Sequence, residues 1–276
     1  MIREFPDRAI RLILETPDIV RGLLLVAISD LAKQINYDKL QQLNRTFIMD
    51  NFRKLEADMV FTAPFVDSSG ESPYEVIIYI LIENQSTVDP TMPFRVLSYM
   101  VRIWDMQRRE LEDSKIPLHQ WRFRPILPVV FYTGSQQWEA PLELKQLMDL
   151  PSSLERVVPQ YEIFFLNLKS ASPDDQVKED HPFGWILRVM QKEGSTKREF
   201  EEALFLTLER LERMPPEEQV NWAKLVYFLL AFIHNRRKES EHGDLLKIVG
   251  FFRVKCGNDF CIVLKSPLIP LWERGK

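Results

Sequence analysis

From residue 6 to residue 29 apolar residues recur at helical spacing: Ile10, Leu12, Ile13 and Leu14, then Ile19, Val20, Leu23, Leu24 and Leu25. Thr16-Pro17-Asp18 interrupts the run, because proline lacks the amide a continuing helix needs and Thr or Asp caps a new start. Two short helices are predicted. The pattern then changes to that of strands at "TFIM" (46–49) and "ADMVFTAPFV" (57–66). "DSSGESP" (67–73) has turn chemistry, so the second of these and "YEVIIYILIE" (74–83) should form a hairpin. Within it Ile77 to Ile82 is uninterruptedly apolar, the mark of a strand buried on both faces.

Asp89-Pro90 opens the next helix, about 90–112, with Asp89 as its cap and Pro90 at the first helical position. "RPILPVVFYTG" (124–134) predicts a fourth strand, residues 141–149 a short helix, and "YEIFFLNL" (161–168) a fifth strand. From 181 to 249 only helical periodicity remains, split by Pro215-Pro216. The organisation predicted is an α/β unit over 1–175, a helical region over 176–250 and an atypical tail over 251–276. The tail resembles the translated edge of a dispersed genomic repeat, which implies that a longer natural tail has been replaced. There is no internal repeat at a useful period.

The 276 residues are 45% hydrophobic and 28% charged, the composition of a soluble globular protein. The longest apolar runs, "GLLLVAI" and "LVYFLLAFI", fall far short of the roughly 20 residues that cross a bilayer. Charges through "MIREFPDRAIRLI" do not suit a signal peptide, so a cytoplasmic location is expected. Cys256 and Cys261 have no second Cys or His pair nearby to complete a zinc site, and the four histidines fall in no ligand spacing. A net charge of −4 argues against a surface coated for non-specific DNA binding, though not against a local basic groove.

The chemistry concentrates in "IIYILIENQS" (77–86), where the most hydrophobic strand runs straight into Glu83, Asn84 and Gln85. Alternation puts Glu83 and Gln85 on one face. Asp58 and Glu83 lie twelve and thirteen residues either side of a turn centred near 70, so the hairpin should set them almost opposite each other. Two facing carboxylates repel unless a cation lies between them, and Mg2+, which takes one or two carboxylates and keeps open positions for phosphate oxygens, suits that place. From spacing alone, a solvated strand terminus accounts for the same residues.

"PDRAIRLILETPDIVRGLL", "RKLEADMVF", "YILIENQSTVDPTMPFRVLSYMVRIW" and "ILPVVFYTGSQQW" together resemble the recombination-promoting nuclease (Rpn) family, also labelled transposases, within the PD-(D/E)XK superfamily. The resemblance runs from about residue 6 to about residue 250. It implies a restriction-endonuclease-like α/β core, a mixed central sheet flanked by helices, with a C-terminal helical region. By motif position Asp58 and Glu83 match the metal-binding acids, and Gln85 takes the place where the superfamily more often has lysine. A neutral amide only donates and accepts hydrogen bonds, so more of the electrostatic work falls on Mg2+ or Mn2+. Asp7 also matches a family position, and equally suits the start of a helix dipole. Glu15 and Glu56 are further acids that could complete a ligand set.

Arg95, Arg102 and Arg109 recur every seven residues along the predicted helix, a stripe about 21 Å long. From 95 to 124 there are seven basic residues against four acidic ones. Such a stripe suits phosphate contacts along DNA, and equally a solvated helix face. Trp104 and Trp121 are expected in the core. The resemblance thus implies a Mg2+-dependent DNA endonuclease with Asp58, Glu83 and Gln85 catalytic. The alternatives are a DNA-binding or protein-interaction module that keeps the fold without useful activity, and direct participation in transposition. Cutting both strands of a duplex would be easier for a homodimer.

Overall fold

The computed structural model describes residues 5–43, 58–66, 74–83, 88–214 and 219–255. The chain divides into two compact units, one over Pro6–Asp175 and one that begins at Gln176.

In the first unit the helical pattern at the start becomes α1 (Phe5–Ile13) and α2 (Pro17–Ala27), separated where Thr16 turns extended ahead of Pro17. A single turn, α3 (Ser29–Ala32), follows. The expected strand at 46–49 and the turn at 67–73 lie outside the described residues. A two-residue strand, β1 (Gln41–Gln42), was not foreseen, because two glutamines carry no apolar alternation. It pairs with β2 (Asp58–Phe65), which forms the expected antiparallel pair with β3 (Tyr74–Glu83). The chain then crosses over through α4 (Met92–Asp113) to β4 (Ile126–Tyr132), parallel to β3, and β5 (Phe164–Asn167) adds parallel to β4. The result is a mixed five-stranded sheet in the order β1-β2-β3-β4-β5, with helices alongside, an α/β unit.

Because β3 has strands on both sides, its run of apolar residues is used on both faces. Ile77 and Tyr79, with Val60, Ile126 and Val130, pack against Val96, Tyr99, Met100 and Ile103 of α4. The alternate set, Met59, Phe61, Ile78, Ile80, Val129 and Phe131, is equally buried. Each such side chain contributes about 1.5–3 kcal/mol relative to exposure. The far end of α4 is tied to the start of β4: Trp104 Nε1 donates to the Arg124 carbonyl at 3.1 Å, and the buried Gln107 Oε1 accepts from the Arg124 amide at 2.7 Å. Trp104 is half-buried against the core, as expected, but Trp121 lies in the exposed α4–β4 connection.

Two local expectations are corrected. α4 starts at Met92 rather than Pro90, because the Asp89 carboxylate accepts from the Thr91 amide (2.8 Å) and hydroxyl (2.7 Å), forming a tight turn that makes Thr91 the cap. The helix expected over 141–149 is a single 3-10 turn, Leu144–Leu147, followed by another, Ser152–Val157, where Pro151 interrupts. At the other end of α4, Lys115 takes φ 59°, the left-handed conformation that ends many helices and is usually given to glycine.

A short helix, α5 (Pro173–Val177), spans the division between units. The second unit consists of α6 (Pro182–Gln191), α7 (Lys197–Glu212), α8 (Gln219–Arg236) and α9 (Glu239–Lys255). α7 opens on a capping box in which the Thr196 hydroxyl accepts from the Glu199 amide and Glu199 accepts from the Thr196 amide. Cys256 and Cys261 lie outside the described residues.

Candidate functional site

Asp58 is the first residue of β2 and Glu83 the last of β3, so both stand at the same end of the sheet. Asp58 pairs with Leu81, which places Glu83 two residues beyond the position facing it. The expected near-opposite pairing is therefore a diagonal one. The diagonal keeps parity, so both positions belong to one face of the ladder, the face of Val60 and Tyr79 that packs under α4. Diagonal positions in such a ladder lie about 7–8 Å apart, a spacing that two carboxylate residues can bridge through a cation. On its other side Glu83 pairs with Tyr132, the last residue of β4. Gln85 and Glu56 lie outside the described residues. Glu15 is exposed in the turn between α1 and α2, and Asp7 lies in the first turn of α1.

Beside Glu83 in the ladder stands an aromatic cluster that sequence reasoning missed. The buried Tyr132 ring meets Trp138 edge-on at 5.0 Å and stacks on Phe165 at 6.4 Å, while Trp138 and Phe165 lie 4.7 Å apart. Tyr132 donates its hydroxyl to the Gln136 carbonyl at 3.0 Å. The signal was "FYTG": a Cβ at Gly134 would come within 2.6 Å of Cε2 of the Tyr132 ring, so the ring's position requires a glycine there. Tyr161 donates its hydroxyl to the carbonyl of Pro93 in the first turn of α4, fixing where that helix begins. Burial pushes the Tyr161 phenol up to about 12.

The arginine stripe on α4 is not uniform. Arg95 is only 15% exposed and lies 3.5 Å from Asp89. Burial by itself would raise the Asp89 pKa, but the two Thr91 bonds and Arg95 outweigh it and hold the carboxyl below its ordinary range. Arg102 is half-buried. Arg109 is 70% exposed and pairs with Asp105 at 2.9 Å. Of the other cations nearby, Arg108 pairs with Asp105 and Glu112, and Arg124 with Glu75 and Glu110. Arg95 and Arg109 thus already face acids, on the loop leading into the helix and on the helix itself.

Among the described residues no group of three or more His, Cys, Asp or Glu is placed to hold a metal ion. The hard oxygen donors that Asp58 and Glu83 carry are of the type Mg2+ takes, with water and substrate supplying the remaining positions. The donor set fits that metal by its chemistry. No helix among the described residues is long and apolar enough to cross a membrane.

This site and sheet define an α/β protein with two acids on one face where its central antiparallel strands end. The chain belongs to the family described as "Putative transposase, YhgA-like", which matches residues 6–219. It is 28% identical over 131 residues, 47% of the chain, to Recombination-promoting nuclease RpnD of Escherichia coli O157:H7. Over 190 residues, 67% of the chain, it is 25% identical to Inactive recombination-promoting nuclease-like protein RpnE of Escherichia coli strain K12. The chain spans about half the length of these relatives, 45% and 57% respectively. No solved structure matches it at a significant level.

Proposed function

We propose that this protein is a Mg2+-dependent endonuclease that hydrolyses DNA phosphodiester bonds, with a core of the PD-(D/E)XK type. The observation that carries the reading is the placement of Asp58 and Glu83 at diagonal positions on one face, at the end of the sheet where β2 begins and β3 and β4 finish. The family name and the printed name of RpnD point the same way.

Asp58 and Glu83 would hold the metal. When bound, Mg2+ supplies Lewis acidity, activating water as a nucleophile and offsetting the charge that builds on the scissile phosphate. Gln85 orients the attacking water or a phosphate oxygen through its amide, and, being neutral, takes no proton. Tyr132, Trp138 and Phe165 form a packed aromatic wall at the end of β4, where Tyr132 is the ladder partner of Glu83. Arg95, held by Asp89, lies in the first turn of the helix that covers this face, and Arg102 and Arg109 extend the phosphate contact along it. Mn2+, which takes the same carboxylate and water oxygens, would be the alternative ion.

A second reading is a nuclease fold that binds nucleic acid or protein without cleaving, favoured by the printed name of RpnE. The two are separated by incubating the full chain with supercoiled plasmid in Mg2+, Ca2+ or EDTA, beside Asp58→Ala and Glu83→Ala. Nicking that requires Mg2+ and disappears in both variants, at unchanged melting temperature, is the expected result. Plasmid binding with no Mg2+-dependent nicking in the unaltered chain sinks the enzyme and leaves the binding module.

A further inference from the structure

We propose that the loop joining α4 to β4, from Lys115 to Arg124, is a binding surface for single-stranded nucleic acid. The inference rests on the nucleic-acid reading above for what lies at the other end of α4, but its evidence is separate.

The chain here reads "KIPLHQWRFR", cations alternating with apolar and aromatic residues, and no acid occurs between Ser114 and Trp138. Every residue from 112 to 120 is exposed. Leu118 is 74% exposed and Phe123 48%, an unusual outlay of apolar surface beside a well-filled core. Neither Trp121 nor Phe123 has a ring partner among the described residues. The Trp121 indole N–H donates to the Ile116 carbonyl at 2.8 Å, which pins the ring across the loop.

Charge separates Lys115 and Arg122 from Arg124 at the end of the same loop and from the cations of α4. Arg108, Arg109 and Arg124 each face carboxylates. The Arg122 guanidinium instead donates only to backbone, the His119 carbonyl at 3.2 Å and the Trp121 carbonyl at 2.7 Å. Among the described residues no carboxylate lies within ion-pair distance of Arg122 or Lys115. The two backbone bonds fold the Arg122 side chain back onto its own loop, with no carboxylate partner among the described residues. Cations without acid partners beside exposed rings suit a ligand that is anionic and planar in alternation, which is a nucleic-acid strand.

The strand is single rather than paired. A duplex offers its base faces only at its ends, whereas Trp121, Phe123 and His119 offer rings on which unstacked bases lie flat. Location fits the same reading. The loop lies at the end of the sheet opposite Glu83, about 20 Å away along six residues of β4. α4 joins the two ends, with Arg95 near one and Lys115 at the other. A strand that reaches the acids and runs beside α4 ends on the loop, so the substrate implied has an unpaired segment several nucleotides from the bond cut.

The test measures anisotropy of a labelled 20-nucleotide oligothymidylate, a matching duplex, and association with phosphatidylglycerol vesicles, all in EDTA with the full chain. Phe123→Ala should weaken oligothymidylate binding by about tenfold, and Phe123→Tyr, which keeps the ring, should restore it. Lys115→Ala with Arg122→Ala should lower the slope of log K against log salt by about 1.4, two phosphates at about 0.7 each. Unchanged binding in Phe123→Ala overturns the proposal. So does a loss confined to vesicle association, which would make the loop a lipid contact. EDTA silences metal-dependent cleavage, so a chain that never nicks plasmid can still pass this test. A chain that nicks while its loop variants keep full oligothymidylate affinity loses only the loop.

Discussion

Gly134→Ala is the most economical probe of the wall beside Glu83. A Cβ at 134 would stand 2.6 Å from Cε2 of Tyr132, where carbon atoms normally stop at about 3.5–4.0 Å. The overlap is about 1 Å, and the ring has nowhere to go. Trp138 stands at 5.0 Å on one side and Phe165 at 6.4 Å on another, the residue is fully buried, and its hydroxyl is tethered to Gln136 at 3.0 Å. Overpacking of this kind costs about 1–3 kcal/mol. If the ring tilts to make room, the Gln136 bond is stretched as well, adding about 1 kcal/mol. The sum, about 2–4 kcal/mol, is a large part of the about 5–15 kcal/mol that holds a typical domain together.

Urea denaturation followed by tryptophan fluorescence reads this directly, and the decisive comparison is Gly134→Ala in a Tyr132→Leu background. Gly134 does not occupy the left-handed region, so alanine fits its backbone. With the ring gone, alanine should be neutral or stabilise by about 0.4–1 kcal/mol through the unfolded chain. The coupling between the two sites should therefore be about 2 kcal/mol or more. Tyr132→Phe, which removes only the hydroxyl, should give an intermediate coupling. Equal costs of Gly134→Ala in both backgrounds would show that the ring is not what excludes a side chain, and the wall would lose its explanation.

Three further outcomes follow from individual contacts. Thr196→Ala removes one half of the capping box on α7 and should lower stability by about 0.5–2 kcal/mol, measured by thermal melting, with Thr196→Ser close to the parent. Asp89 has a folded pKa below its unfolded value of about 3.9, so its contribution is present above that pH and disappears as pH falls through the folded value. Asp89→Asn should thus melt lower than the parent at pH 7, by roughly 1 kcal/mol for a half-buried pair, and the difference should close in acid. Burial raises the Tyr161 phenol to about 12, so its contribution is intact below pH 10 and lost as pH rises toward 12. Tyr161→Phe should melt with a flatter profile over that interval, and an unchanged profile would refute the assignment.

The elements with strong periodicity were legible in the chain. The break at Thr16-Pro17, the β2–β3 hairpin and the crossover through α4 follow from proline geometry, turn residues and a switch of period from 2 to 3.6. What was not legible depended on tertiary neighbours. β1 is a strand only because β2 offers it an edge, and nothing in Gln41-Gln42 announces that. The start of α4 moved by two residues because the Asp89 side chain turned back onto Thr91 instead of capping at Pro90. The candidate acids were legible as residues, but their mutual register was not, since counting back from an assumed turn centre places the pair only to within two residues. The stripe arginines followed from spacing, while their acid partners came from the loop before α4 and from Asp105 between them.

The topology also explains why the most hydrophobic strand ends in an acid. β3 lies in the middle of the sheet, antiparallel to β2 on one side and parallel to β4 on the other, and both of its faces are covered. A carboxylate anywhere from Ile77 to Ile80 would be buried without a partner, at a cost of several kcal/mol. Glu83 pairs with the last residue of β4, and Asp58 is the first residue of β2, so three strands reach their limits together. A parallel partner finishes at the end where an antiparallel one begins, so the mixed sheet gathers acids from two strands at a single exit. A wholly parallel sheet would instead bring together only strand C-termini there, and Asp58, at an N-terminus, would stand at the far end. The antiparallel hairpin is thus what makes a paired-acid site possible on this sheet, and α4, starting nine residues beyond Glu83, is the next described element able to cover it.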